Sequence, residues 1–325
     1  MAILVAGGCG YIGSHVCKML SKRGYDVIVA DNLSHGYAEN AKWGRLEQAD
    51  IGDRAALDRV FAANKIDAVM HFCAYIEVGE SAAEPSKYYR NNVANTLVLL
   101  DAMMNAGVDK FIFSSTAAVY GVPQRTPIEE DDPKNPINPY GRTKYMVEQI
   151  LGDYGTAYGL KSIAFRYFNA AGADPDTEIG EAHIPETHLI PLVLDAALGL
   201  RDSIKIYGTD YKTPDGTCLR DYVHVNDLAD AHIRGLEYLL KGGNSSCFNL
   251  GSGRGFSVRE IIDTVAKVTG KPVKAEETPR RAGDPDILVA KSAKAFDVLG
   301  WKPVIGLDEI VATAWKWHKK YKKAG

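Results

Sequence analysis

The residues best suited to chemistry are a tyrosine and a lysine four apart, in Tyr140-Gly141-Arg142-Thr143-Lys144. On a helix that spacing sets both side chains on one face. An ammonium so placed favours the phenolate and lowers a phenol pKa that is ordinarily ~10. Such a pair can take a proton from an alcohol and give it back. YxxxK also arises by chance in many helices, so its surroundings must decide. Upstream, Phe113-Ser114-Ser115-Thr116 sets hydroxyls at the C-terminal end of a predicted parallel strand, the edge where ligands meet such a sheet. A hydroxyl there can bond a substrate hydroxyl and relay its proton to the tyrosine.

Near the start, Gly7-Gly8-Cys9-Gly10-Tyr11-Ile12-Gly13 spaces Gly7, Gly10 and Gly13 as G-x-x-G-x-x-G. Glycine lets the backbone turn and approach a pyrophosphate, whose charge the amides of a helix N-terminus stabilise. Asp31 ends the second predicted strand, 18 residues past Gly13. A carboxylate there accepts from ribose hydroxyls and repels a 2′-phosphate, which favours NAD over NADP. A structural turn with a surface Asp is the plain alternative, but the strand before, the helix after and the position of Asp31 weigh against it. Asp50-Ile51, closing a third strand, can set a carboxylate beside the adenine amino group.

These residues need a frame, and the pattern supplies one. Ala2–Ala6, Asp26–Ala30, Ala68–Phe72, Lys110–Ser115 and Ser162–Phe168 read as strands, several apolar at consecutive positions as strands covered on both faces should be. Gly13–Arg23, Arg54–Asn64, Tyr88–Ala106 and Tyr140–Tyr158 have helical length and spacing between them. The alternation predicts an α/β chain with a doubly wound parallel sheet. After about residue 170 the rhythm loosens: a loop from Gly172 to Glu186, a helix at His188–Leu200, a strand at Ile204–Tyr207, a loop from Thr209 to Thr217, and helices at Asn226–Lys241, Ser257–Thr269 and Leu307–Tyr321. The expected division is a cofactor domain over 1–170 and a smaller mixed α/β substrate lobe over 171–325, with about 220–250 returning to the first domain.

The 325 residues carry a formal net charge of -3, the wrong sign for a general nucleic-acid binder. Lys319, Lys320, Lys322 and Lys323 read as a solvated helix end. Cys9, Cys17, Cys73, Cys218 and Cys247 show no C-x-x-C spacing, so neither a disulfide framework nor a metal site is expected. With neither a leader-like N-terminus nor an apolar run near 18 residues, a cytoplasmic protein with no membrane partner is expected.

With these motifs in view, the chain resembles the extended short-chain dehydrogenase/reductases, of Rossmann type, and within them the UDP-glucose 4-epimerases. The resemblance runs through GGCGYIGSH, HFCAYIEVGES from His71, FSSTAAVYG from Phe113, NPYGRTK from Asn138, RYFNAAGA from Arg166, GTDYKTPDGTCLRDYVHVNDLADAH from Gly208 and PRRAGD from Pro279. It implies Tyr140 as general acid/base, Lys144 as its partner and a ribose contact, and Thr116 as the hydroxyl relay. It implies an NAD site of Gly7, Gly10, Tyr11, Ile12, Gly13, Asp31, Asn32, Leu33, Asp50, Ile51, Phe72, Ala74, Asn91, Ser114, Lys144, Tyr167 and Phe168. Around the UDP-sugar it implies Asn169, His188, Leu189, Lys205, Tyr207, Arg220, Arg281, Asp284 and Leu288, beside Thr116 and Tyr140. The guanidinium fork of each arginine suits a diphosphate.

The implied reaction inverts C4 of UDP-glucose or UDP-galactose through a 4-keto sugar, with bound NAD reduced only transiently. A 4-epimerase of a UDP-pentose or UDP-uronate is the nearest alternative, and a non-catalytic NAD-sensing regulator a remote one. Ala117 and Ala118 cannot transfer the protons that a 4,6-dehydratase needs after this strand. Thr116 stands where many relatives have Ser, Ile76 where some have a lysine reaching the cofactor, and Leu288 where some have a bulky aromatic. The smaller Leu288 suggests room for N-acetylated sugars such as UDP-GlcNAc or UDP-GalNAc. The resemblance also implies a homodimer, through the helices at Tyr88–Ala106 and Tyr140–Tyr158.

Overall fold

A computed structural model describes residues 1–281 and 284–324, the side chains of 323 and 324 excepted. Ala282 and Gly283 of the PRRAGD motif and the side chain of Lys323 thus lie outside the described residues. In chain order the first part contains β1 (Ala2–Ala6), α1 (Tyr11–Lys22), β2 (Asp26–Asp31), β3 (Arg45–Gln48), α2 (Arg54–Ala63) and β4 (Ile66–His71). There follow α3 (Val78–Ala83), α4 (Pro85–Tyr88), a π-helical stretch at Tyr89–Ala94, α5 (Asn95–Asn105), β5 (Lys110–Thr116), α6 (Pro139–Tyr158) and β6 (Lys161–Tyr167). The later part contains β7 (Asn169–Ala171), α7 (Leu189–Ala197), β8 (Ile204–Tyr207), β9 (Leu219–His224), α8 (Val225–Leu240) and β10 (Ser246–Leu250). It closes with β11 (Gly255–Ser257), α9 (Val258–Thr269), β12 (Ala275–Thr278), β13 (Ile287–Leu288), α10 (Ala293–Leu299) and α11 (Leu307–Ala324).

Seven strands form one parallel sheet in the order β10-β6-β5-β4-β1-β2-β3. The all-apolar run of β1 is wholly buried because its alternate side chains feed two different layers. Ile3 and Val5 pack with Val16 and Leu20 of α1 and Leu228 and Leu236 of α8. Leu4 packs on the other face with Leu57 of α2, Leu99 of α5 and Val147 of α6. The order reverses between β1 and β4, and at such a switch point the loops beyond the strands' carboxyl ends part to leave a crevice.

β10 escapes the strand pattern sought in the sequence. Its Ser-Cys-Phe-Asn-Leu run is only partly apolar, and buried Asn249 is satisfied by Tyr120 Oη at 2.7 Å and the Ile128 carbonyl at 3.0 Å. The helix predicted at Tyr88–Ala106 is interrupted by the π-helical stretch, for a reason that periodicity does not carry. Asn92 is buried, and its amide closes on the Tyr75 backbone, accepting from N at 2.9 Å and donating to O at 3.0 Å. A smaller core joins Ile190 and Val193 of α7, Ile204 and Ile206 of β8, Ile261 and Val265 of α9 and Ile310 of α11. No helix among the described residues is long and apolar enough to cross a membrane.

Candidate active site

The glycine turn joins β1 to α1, and its shape needs the missing side chains. Gly7 has φ +80°, and a Cβ on it would lie 2.6 Å from the Cys73 nitrogen. A Cβ on Gly13 would lie 2.2 Å from the Gly7 carbonyl oxygen. Gly10 differs: a Cβ there meets only the Gly7 oxygen, at 3.4 Å, so this glycine keeps a hollow open. It is also the N-cap of α1, and no side chain caps the helix amides. Uncapped amides facing a hollow free of side chains suit a diphosphate, so these residues fit the phosphates of NAD.

Asp31 is clamped beside this turn, accepting from Cys9 N and Leu33 N, each at 2.9 Å. Asn32 donates to Asp50 Oδ2 at 2.7 Å, linking the ends of β2 and β3, while Ile51 is buried in the core behind them. Ala74 and Asn91 lie past β4 and in the π-helical stretch, and Asn91 donates to Asn92 Oδ1 at 2.9 Å. Two of the predicted cofactor residues also make contacts within the protein. The half-buried Phe72 ring packs against the core, 4.9 Å from the ring of His232, with its backbone beside Gly7. Tyr11 sends its hydroxyl to the Gly172 carbonyl at 2.7 Å, away from the turn that its backbone helps to form.

α6 carries the tyrosine and lysine because its start is well specified: Asn138 caps Gly141 N at 2.8 Å and Pro139 occupies the first turn. Thr116 at the end of β5 lies close enough to the Tyr140 phenol to favour its ionised form. Its hydroxyl oxygen also accepts from Ala118 N at 3.1 Å. Lys144 is buried, donating to the Ser114 carbonyl at 2.8 Å with its ammonium 5.0 Å from the centre of the Phe113 ring. Burial lowers its pKa to about 8.

The phenol itself runs against the expectation. Burial pushes Tyr140 up to about 12, Glu77 adds to the rise, and only the Thr116 hydroxyl opposes it. The spacing sets Tyr140 and Lys144 on one face, yet the lysine stem runs on to β5, so its charge does not offset the loss of solvent. Glu77 had no signal in the sequence, since only the fold brings it from beyond β4 to α6. Ser114 and Tyr167 bond through their hydroxyls, and Phe168 packs against the cluster of Val119, Tyr120 and Ile128.

A cavity of about 280 Å³ is lined by Asn169, His188, Leu189, Lys205, Tyr207, Arg220, Arg281 and Asp284, which gathers eight of the predicted substrate residues. Arg220 donates to Asp284 at 2.5 Å and to the carbonyls of Leu219 and Pro285. Its ion pair is with Asp284, and Asp221 is instead buried beneath the amides of Ser252, Gly253 and Ala290. The Arg281 guanidinium lies 3.9 Å over the Tyr207 ring. Leu288 pairs with Arg220 in register across β13 and β9, outside this lining. Thr187, also in the lining, donates to Glu77 at 2.8 Å and so ties the cavity to the carboxylate that faces Tyr140. A larger cleft of about 800 Å³ near α9 and α11 holds none of the predicted site residues.

Two groups went unread in the sequence. Arg166 and Glu148 form a buried ion pair at 2.6 Å, and Glu148, one turn beyond Lys144, also accepts from Ser115 at 2.5 Å, locking α6 to β5 and β6. Glu181, His183 and Glu186 gather around His188.

Residues 3–251 match the model of the NAD dependent epimerase/dehydratase family. The chain is 54% identical over 323 residues to a UDP-glucose 4-epimerase of Rhizobium meliloti, covering 99% of this chain and 98% of that protein. The structure of a UDP-glucose 4-epimerase from Brucella ovis in complex with NAD matches with a TM-score of 0.95 at 50% identity, covering 97% of each chain. That of a UDP-glucose 4-epimerase from Stenotrophomonas maltophila, with bound NAD and formylated UDP-arabinopyranose, matches with a TM-score of 0.97 at 38% identity over 100% of each. The chain therefore belongs to the NAD-dependent epimerase/dehydratase family and, within it, to the UDP-glucose 4-epimerases.

Proposed function

We propose that this chain interconverts UDP-glucose and UDP-galactose by inverting C4. What supports this reading is that Thr116 acts on the Tyr140 phenol, Lys144 is seated at the Ser114 carbonyl of the same strand end, and the chain also carries a glycine turn fit for a dinucleotide and a cavity bearing two arginines. The α1 amides with Asp31, Asn32 and Asp50 hold NAD along the strand ends. Bound NAD supplies the redox chemistry, accepting hydride from C4 and returning it to the opposite face of the 4-keto sugar. Tyr140 takes the O4 proton, directly or through Thr116, holds it while the sugar is oxidised, and returns it at the end. Arg220 and Arg281 grip the diphosphate, with Asn169, Leu189, Lys205, Tyr207 and Asp284 around the nucleotide. Binding energy concentrated on the nucleotide leaves the sugar free to turn over.

Purified protein given UDP-galactose is expected to form UDP-glucose without added NAD. A requirement for added NAD, or net NADH build-up matching turnover, would overturn the proposal. Leu288→Tyr is expected to cut turnover of UDP-GlcNAc relative to UDP-glucose by about 10-fold or more; an unchanged ratio removes Leu288 as the determinant. The chain is further proposed to act as a homodimer through α5 and α6, where Met146 and Tyr158 are exposed. A mass in solution near twice 35.4 kDa is expected, and a monomeric mass at micromolar concentration counts against it.

A further inference from the structure

The segment leading into α7 carries four side chains that the proposed reaction does not use together. Glu181, His183, Glu186 and His188 each offer one ligand atom, all four within 4.8 Å of one another. His188 Nδ1 lies 2.8 Å from Glu181 Oε1 and 3.0 Å from Glu186 Oε1. His183 Nδ1 lies 3.1 Å from Glu181 Oε1 and 3.9 Å from Glu186 Oε2. An ion held tetrahedrally at about 2.0–2.1 Å by such atoms has ligand–ligand edges of about 3.3 Å; with Oε2 as the ligand atom of Glu186, the separations of 2.8, 3.1 and 3.9 Å straddle that length.

We propose that Glu181, His183, Glu186 and His188 form a binding site for a divalent ion of the zinc class. Two carboxylates balance the charge of the ion, and two imidazole nitrogens select a borderline metal over calcium or magnesium, which take oxygen ligands. Four protein ligands fill a tetrahedron and leave no position open for water or substrate, so the ion is structural rather than catalytic. Part of the site is already arranged: Thr187 N and His188 N both donate to Glu186 Oε1 at 2.8 Å. Trp317 of α11 donates to the Glu181 carbonyl at 2.8 Å, and the Tyr11 ring stands edge-on to His183 at 6.2 Å. Glu181 and His188 also line the candidate substrate cavity, so the ion would pin one of its walls between α1 and α11. His188 coordinates through Nδ1 and keeps Nε2 uncoordinated. The pattern Glu181-x-His183-x-x-Glu186-x-His188 is the sequence signal, and it contains no cysteine.

The test is a titration of the full chain, stripped with a chelator, with Zn²⁺ and with Co²⁺ as a coloured probe. One equivalent per chain, a cobalt spectrum of tetrahedral intensity and a higher unfolding midpoint with Zn²⁺ are expected. His183→Ala and Glu186→Gln should each weaken binding by more than the ~10–100-fold that losing an outer-shell partner costs, and should abolish the Zn²⁺-dependent rise in midpoint. Circular dichroism in metal-free buffer shows that each variant is folded, and Glu186→Gln keeps an acceptor for the two amides. Absence of a saturable equivalent, an octahedral cobalt spectrum, or unchanged binding by folded variants overturns the proposal and leaves an ion-pair cluster without metal. Binding is read without sugar or cofactor, so its failure leaves the epimerase reading intact.

Discussion

Tyr140→Phe is expected to lower kcat by about 10²–10⁴-fold, the usual worth of a positioned general acid/base, while the purified protein keeps its bound NAD. The substitution removes one oxygen and retains the ring, so α6, capped by Asn138 and locked through Glu148 and Arg166, keeps its place. Thr116 cannot stand in, because an alcohol side chain does not hold a stable negative charge near neutral pH. Glu77 acts on Tyr140 through its charge and is itself bonded by Thr187. The groups proposed to grip the dinucleotide, the α1 amides and Asp31, do not depend on the phenol, so cofactor content separates lost chemistry from lost binding. Turnover by wild type and variant with UDP-galactose, together with NAD released on denaturation, checks the result. A loss smaller than tenfold, or a variant purified without NAD, contradicts the assigned role.

What the sequence made legible was local. The run Ala2–Ala6 declares a strand buried on both faces, Gly7, Gly10 and Gly13 declare a turn against a helix, and Asn138 with Pro139 declares where α6 begins. Spacing also brought Tyr140 and Lys144 to one face. It did not say what each would touch. Lys144 reaches the Ser114 carbonyl, and the phenol responds mainly to burial and to Glu77, neither of which a four-residue interval encodes. Resemblance singled out Arg220 as the proposed diphosphate ligand, but not its pairing with Asp284, 64 residues away in the chain. Phe72 sits at the end of β4, and its half-buried ring packs against the core beside His232, a contact that strand periodicity does not announce. The π-helical stretch at Tyr89–Ala94 was hidden for the same reason: one buried amide, Asn92, needs the Tyr75 backbone more than the helix needs its regular period.

Lys144→Met is expected to pull activity and stability in opposite directions. Loss of the ammonium removes the positive charge held at the Ser114 carbonyl, on the strand end that carries Thr116, and kcat should fall on the order of 10²-fold. The cofactor-free chain should nevertheless become more stable near pH 7. Burial takes the Lys144 pKa from 10.5 down to about 8 on folding, so keeping the proton in the folded state costs free energy. Between those two values the unfolded chain binds more protons than the folded one, and wild-type stability therefore rises with pH across that window. Below pH 8 lysine is charged in both states and the whole penalty is present; above about pH 10.5 it is neutral in both and the penalty is gone. A shift of this size corresponds to about 3 kcal/mol, which a methionine of similar length avoids while filling the same space. Urea unfolding of cofactor-stripped wild type and variant at a series of pH values should show the variant ahead by a few kcal/mol below pH 8, with the gap closing as pH approaches 10.5. A gap that persists at high pH would mean that packing, not charge, decides the difference. A variant less stable at pH 7 would mean that the bond to the Ser114 carbonyl outweighs the desolvation of the ammonium. The expected pattern describes a residue kept for the reaction at the expense of the fold, whose charge becomes useful only when an oxidised dinucleotide and a sugar hydroxyl share the cleft with it.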